Sequence, residues 1–194
     1  MPDRDKVQEP GTKYDSPATR LTYEDYCRMP AGLRYELVEG DIRMAPSPSV
    51  FHQEVSKRLE KLLLEWVEGQ GLGMVYDAPL DVVLSEHNVV QPDLLYVSRE
   101  RLGIIKEANI WGAPDLVVEI LSSSTAEWDR VTKRRAYERY GVKELWLVDL
   151  DGRSVEVAAR RDAALETVQV YPLGTTLSSP ILPGLVLDVN LLFR

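Results

Sequence analysis

Two carboxylates stand in stretches that otherwise read as buried strand, and a lysine follows on the next helix. Asp93 lies in Val89-Val90-Gln91-Pro92-Asp93-Leu94-Leu95-Tyr96-Val97, and Glu119 in Asp115-Leu116-Val117-Val118-Glu119-Ile120-Leu121. Lys133 comes in Asp129-Arg130-Val131-Thr132-Lys133. An unpaired carboxylate is costly to bury, so both acids need a compensating partner. A divalent cation is the simplest one, and a metal beside a lysine suits phosphodiester chemistry.

The elements carrying these residues decide whether they can meet. Side chains alternate along a strand, so Gln91, Asp93, Leu95 and Val97 share one face of the first stretch. Asp115, Val117, Glu119 and Leu121 share one face of the second. If the two strands are neighbours, Asp93 and Glu119 converge within one ion's reach, and oxygen ligands with room for water suit Mg²⁺ or Mn²⁺. On the helix, Asp129, Lys133, Tyr137 and Tyr140 fall roughly on one face, which the tyrosines turn toward the sheet. That phase aims Lys133 at the strand ends near Glu119. Arg134 and Arg135 point elsewhere and, with Arg130, are candidates for phosphate contacts.

The blander readings stay open at this point. Glu119 and Lys133 are as readily a structural ion pair that needs no metal. The basic run from Arg130 to Lys143 is more commonly a solvated helix face. Other chemistries find less support. Two histidines and one cysteine do not make a zinc site. Gly69-Gln70-Gly71-Leu72-Gly73 has the wrong spacing for a dinucleotide loop and follows a helix instead of opening one. Ser122-Ser123-Ser124-Thr125 lacks the flanking glycines of a hydrolase elbow and reads as a cap for the lysine-bearing helix.

The totals frame these residues. A chain of 194 residues, 44% hydrophobic and 28% charged, has the composition of one globular domain. It has no apolar run of membrane-spanning length and no signal-like N-terminus. Cys27 is the lone cysteine, which fits a reducing, cytoplasmic setting. The net charge of -8 argues mildly against nucleic acid as a partner, although local charge overrides the total.

Residues 1–20 are polar and aperiodic and read as a flexible tail, leaving 21–194 as the domain. A capped short helix begins at Thr22 and a hairpin turns at Glu39-Gly40-Asp41. A long helix follows Ser49, with Phe51, Val55, Leu59, Leu62, Leu63 and Trp66 in its apolar stripe. Strands are expected over residues 74–78, 80–84, 89–97 and 116–121, then a helix over 127–140 and a strand over 143–150. The last two strands of that series should be parallel, joined by the helix as a crossover. Strands over 154–158, 167–171 and 185–189 complete one α/β domain with a mixed sheet flanked by helices and extended by antiparallel strands.

Several motifs in order resemble the Uma-two family of restriction-endonuclease-like proteins, whose fold is that of the PD-(D/E)XK nuclease superfamily. They are Arg34-Tyr35-Glu36-Leu37-Val38-Glu39-Gly40, Met44-Ala45-Pro46, Ser49 with His52-Gln53, and Val90-Gln91-Pro92-Asp93. The series continues with residues 112–122, with Asp129, Lys133 and Tyr137, and with residues 141–149. The resemblance implies a restriction-endonuclease-like fold and a Mg²⁺-dependent (or Mn²⁺-dependent) endonuclease acting on nucleic acid, DNA foremost. It makes Asp93 and Glu119 metal ligands, with Glu36 as an additional acidic position completing the shell. Leu121 stands where the superfamily carries its lysine, so Lys133 becomes the substitute from the helix. His52, Gln91, Asp129 and Tyr137 are accessory candidates. A homodimer is expected, since cutting both strands of a duplex favours two sites. The rival expectation is a catalytically inactive interaction module that keeps the nuclease fold.

Overall fold

The computed structural model describes residues 20–30 and 32–194, so the tail expected over 1–20 lies, but for Arg20, outside the described residues. Helix α1 (Tyr23–Cys27) opens with the expected capping box, in which Thr22 and Asp25 exchange side-chain and backbone hydrogen bonds. Strands β1 (Tyr35–Val38) and β2 (Asp41–Met44) form the expected hairpin. Its two turn residues, Glu39 and Gly40, both have positive φ (54° and 87°), as a tight hairpin turn between twisted strands requires. Gly40 admits no side chain, because a Cβ would lie 2.6 Å from that of Arg20.

Ser49 caps α2 (Val50–Gly69), accepting the N–H of His52 at 3.1 Å. Its buried residues His52, Val55, Leu59, Leu63 and Val67 keep helical spacing, so one stripe faces the core. There follow β3 (Gly73–Asp77), β4 (Val82–Ser85), β5 (Asn88–Val90), β6 (Leu94–Ser98), a 3-10 helix (Arg99–Ile104) and β7 (Ile110–Trp111). After β8 (Leu116–Leu121), a π-helical turn (Trp128–Lys133) runs into α3 (Arg134–Tyr140). Strands β9 (Glu144–Asp149), β10 (Ser154–Arg161), β11 (Ala164–Pro172), β12 (Thr176–Ser178) and β13 (Val186–Asp188) complete the order.

The single mixed sheet of the sequence reading divides. One sheet runs β2-β1-β5-β4-β7, a second runs β11-β10-β9-β8-β6-β3, and β12-β13 form a separate ribbon. The division falls inside the stretch expected to be one strand over 89–97. Pro92 offers no N–H to a ladder, and the chain leaves β5 in the first sheet at Val90 and enters β6 in the second at Leu94. Asp93 therefore sits in the bend between the two sheets and not on a strand face. The fold class stands: a mixed α/β domain with mixed sheets flanked by helices.

β8 lies at the centre of the larger sheet, parallel to β9 as expected and antiparallel to β6. All six of its residues are buried, because both faces are covered. Leu116, Val118 and Ile120 pack into the core beneath α2, while Val117 and Leu121 pack with Ala136 and Tyr137 of α3 on the other face. Alternation puts Glu119 on the α3 face. No helix among the described residues is long and apolar enough to cross a membrane.

Candidate active site

Pairing between β6 and β8 ends at Leu94↔Val118, which leaves the polar edge of Glu119-Ile120 open on that side. Two side chains close it. Asp93 Oδ2 accepts the Ile120 N–H at 2.7 Å, and His52, from the first turn of α2, donates Nε2–H to the Ile120 carbonyl at 3.1 Å. His52 Nε2 also stands 3.4 Å from Asp93 Oδ2. Both neighbours only accept, so the ring proton must be on Nε2, and Nδ1 is buried without a partner. Burial opposes charging of this imidazole, but Asp93 and the Ile120 carbonyl outweigh it and raise its pKa above the ordinary value.

On the α3 face of β8, Lys133 is only 3% exposed and lies among acids. Its Nζ is 2.7 Å from Glu119 Oε1, 2.8 Å from Glu36 Oε1 and 3.6 Å from Asp129 Oδ1. The buried Tyr137 hydroxyl donates to the same Glu119 oxygen, and Gln91 N donates to Glu36 Oε1 at 3.0 Å. Burial works against the ammonium, yet Glu119 and Glu36 outweigh it and hold the Lys133 pKa well above its usual range. Burial pushes Glu119 the other way from an ordinary carboxylate, well upward; the Lys133 charge relieves this, while Asp129, Asp93 and Glu36 add to it. Asp129 is raised for the same reasons, burial first.

The two clusters share a cavity of ≈ 190 Å³. Glu36, His52, Asp93, Glu119, Asp129 and Lys133 line it, together with Arg34, Arg43, Gln91, Ile120, Trp128 and residues of the loops over 44–49 and 122–125. Thus the three residues singled out first are brought together, as are Glu36, His52, Gln91, Asp129 and Tyr137 around them. Tyr140 leaves the group, bonding Asn88 and Ser85 instead.

Three expectations need correction. Arg130 is paired with Asp149 (2.9 Å) and Glu156 (3.2 Å), and Arg134 with Glu156 (2.7 Å) and the Leu165 carbonyl (2.8 Å). Neither these two nor the exposed Arg135 lines the cavity; Arg130 and Arg134 reach instead toward β9, β10 and β11. The serine run gives no side-chain cap to the lysine-bearing helix; its hydroxyls bond one another. The basic side chains sequence reading missed are Arg34 and Arg43. The signal was present: Arg34 is two residues before Glu36, and hairpin register places Arg43 opposite Glu36, so all three share a face.

The expected three-carboxylate metal shell is not assembled. Among the described residues no three His, Cys, Asp or Glu side chains form a group that could hold an ion, and Glu36 is engaged by Lys133 and Gln91 instead. A smaller donor set does fit a hard divalent cation. Asp93 Oδ1 and Glu119 Oε2 make no hydrogen bond among the described residues, and Ile120 also lines the cavity. Four acidic and three cationic side chains line the cavity, so the acids are not fully balanced by fixed cations of the fold. Such all-oxygen, incomplete sets suit ions that keep part of their water.

The fold is shared with a crystal structure from Anabaena variabilis ATCC 29413, described as a "putative nuclease belonging to DUF820". The two superpose with a TM-score of 0.75 at 22% sequence identity, over 89% of this chain and 97% of that one. A search of curated proteins finds no match. The family model described as "Putative restriction endonuclease" matches residues 22–190, nearly the whole described domain and every residue of the cavity, and the chain belongs to that family, Uma2.

Proposed function

We propose that this chain is a Mg²⁺- or Mn²⁺-dependent endonuclease that hydrolyses phosphodiester bonds in nucleic acid, DNA foremost. The observation that carries the reading is a lysine ammonium held in a cavity between Glu119 and Glu36, beside the strand edge closed by Asp93. Asp93 and Glu119, with the Ile120 carbonyl, would hold the cation, which supplies Lewis acidity toward the phosphate and a more acidic water.

The chain's own groups divide the remaining work. Lys133 lies 2.7 Å from Glu119 and 2.8 Å from Glu36, contacts that favour its ammonium form, so it serves as a fixed positive charge and hydrogen-bond donor, not as a general base. In that role it orients the attacking water and offsets charge that develops on the phosphate oxygens. Tyr137 fixes Glu119, and Gln91 N fixes Glu36, so the ammonium is held from two sides. His52 orients Asp93 and the Ile120 carbonyl.

The test is nicking of supercoiled and single-stranded DNA with Mn²⁺, comparing wild type with Lys133→Ala and Asp93→Ala, each checked for folding by circular dichroism. Both variants should lose about 100-fold or more in rate. Equal nicking by all three means a contaminating nuclease and sinks the assignment. In a separate Asp93→Ala/Glu119→Ala double variant, Mn²⁺ affinity by calorimetry should fall below that of wild type; an unchanged affinity removes the metal assignment. Activity on mononucleotides alone would redirect the reading to a phosphohydrolase.

One observation favours the inactive interaction module as a second reading. The Lys133–Glu119–Glu36 cluster is already satisfied by its own charges and needs no further partner for the fold to close. Wild-type protein that binds Mn²⁺ but cuts nothing would support it. For assembly, the free edge of β11 with Val168 and Val170 exposed supports a homodimer. Sedimentation velocity should then show a dimer that Val170→Lys dissociates, and a monomeric wild type rejects it.

A further inference from the structure

Charge in the cavity is unevenly committed. Lys133 is spent on Glu119 and Glu36, but neither Arg34 nor Arg43 pairs with any carboxylate among the described residues, although four carboxylates line the same space. Arg130 and Arg134, by contrast, are neutralised by Asp149 and Glu156. An arginine with only neutral partners keeps most of its capacity for an anion.

Both guanidinium groups are held in place while parts of them stay open. Arg34 Nε donates to the Gln91 side-chain oxygen at 3.0 Å, and Gln91 is itself fixed by Asp81 at 2.8 Å. The two terminal nitrogens of Arg34 make no hydrogen bond among the described residues. Arg43 lies over the Trp128 ring, 4.9 Å from its centroid, and spends one terminal nitrogen on the Ser124 carbonyl at 3.2 Å. Its Nε and other terminal nitrogen are unengaged among the described residues. Both side chains are half-buried and share one hairpin face, so strand pairing sets the distance between them.

We infer that Arg34 and Arg43 form a phosphate clamp, taking non-bridging oxygens of the nucleic-acid backbone and so holding the strand against Asp93 and Glu119. The inference rests on the nuclease reading for the identity of the anion, since planar, forked donors match phosphate oxygens in general. It assigns the role expected of Arg130, Arg134 and Arg135 to a different element, the β1–β2 hairpin. It also gives an acidic chain a local reason to accept a polyanion.

The test is metal-free, so no cleavage intervenes. Binding of a short fluorescein-labelled single-stranded DNA is followed by anisotropy in EDTA for wild type, Arg34→Gln, Arg43→Gln and the double variant. Arg161→Gln, an exposed arginine near Glu166 and far along β10, is the control. Each cavity variant should weaken binding about tenfold and the pair more, as expected for lost charge-assisted contacts, with the control unchanged. Arg43→Gln should also abolish any change in tryptophan emission on DNA binding, since Arg43 covers Trp128. A folded double variant that binds within about twofold of wild type overturns the clamp. If the glutamine variants do not fold, Arg34→Lys/Arg43→Lys decides: it keeps both charges and loses the fork, so a severalfold loss supports the clamp and unchanged affinity rejects it. Loss of nicking in Lys133→Ala with intact Arg-dependent binding, or the reverse, separates this inference from the catalytic one.

Discussion

Lys133 has no water to fall back on, and that fixes what its removal does. The ammonium is 3% exposed and is the cation nearest to Glu119 and Glu36. Replacing it with methionine keeps the volume and deletes the charge, leaving Glu119 and Glu36, with the buried Asp129 beside them, facing each other without a cation. Breaking one side of a buried pair costs about 3–5 kcal/mol, because the other side is left uncompensated. Guanidinium unfolding should therefore show Lys133→Met destabilised by about that amount. Adding Glu119→Gln should restore part of the loss, since the amide oxygen still accepts from Tyr137 and one of the two acids is gone. Equal denaturation midpoints for wild type and Lys133→Met would mean the acids are already neutral without the lysine. The same logic separates two roles that share this residue. Catalysis needs the charge near the phosphate, while folding needs only that Glu119 and Glu36 have a partner.

At the scale of elements, what holds Glu119 in register is the entry to β8, and there Asp115 acts. Its carboxylate accepts Ser98 N at the end of β6 (2.8 Å) and faces Arg101 of the 3-10 helix (3.0 Å) and Lys143 before β9 (2.6 Å). Burial would raise its pKa, but these partners outweigh it and hold the carboxyl below the ordinary value of 3.8. A depressed folded pKa contributes stability that is present above 3.8 and is lost as pH falls through the lower folded value. Asp115→Asn should cost about 1.5–3 kcal/mol at pH 7, the range for hydrogen bonds to charged groups, and the gap should close in acid. Urea midpoints at pH 7 and near pH 3 check both the size and the sign; a gap independent of pH would deny the carboxylate its role. Elements with one strong local signal were legible in sequence: the capped α1, the hairpin with Gly40, the α2 stripe and β8, apolar but for Glu119. The phase of Asp129, Lys133 and Tyr137 was legible too. The break at Pro92 was missed because apolar residues continue on both sides of it, so periodicity saw one strand where two sheets meet. The arginines were misplaced because density of positive charge along a helix says nothing about which acids lie opposite. Asp149 and Glu156 are strand neighbours through β9 and β10, a relation only the pairing register reveals.

For the molecule as a whole, the net charge of -8 and a nucleic-acid substrate set opposing demands. A protein that grips a polyanion with a broad basic surface releases many counterions, and its affinity falls steeply with salt. Here Arg130 and Arg134 are neutralised within the fold and Lys133 is buried among acids, so the clamp of Arg34 and Arg43 is left to meet phosphate. Each phosphate neutralised on a single strand contributes about -0.7 to the slope of log affinity against log salt. Two contacts predict a slope of about -1.4, against roughly -4 to -7 for a surface making six to ten contacts. The remaining negative charge flattens it further, because added salt also screens long-range repulsion between chain and strand; at 0.1 M that repulsion fades over about 10 Å. Binding of labelled single-stranded DNA in EDTA across a salt series measures the slope directly. A value near -1 to -2 fits a molecule that recognises few phosphates inside one cavity and relies on the fold to present them. A slope steeper than about -4 requires a second basic surface and rejects a recognition mode confined to the hairpin clamp.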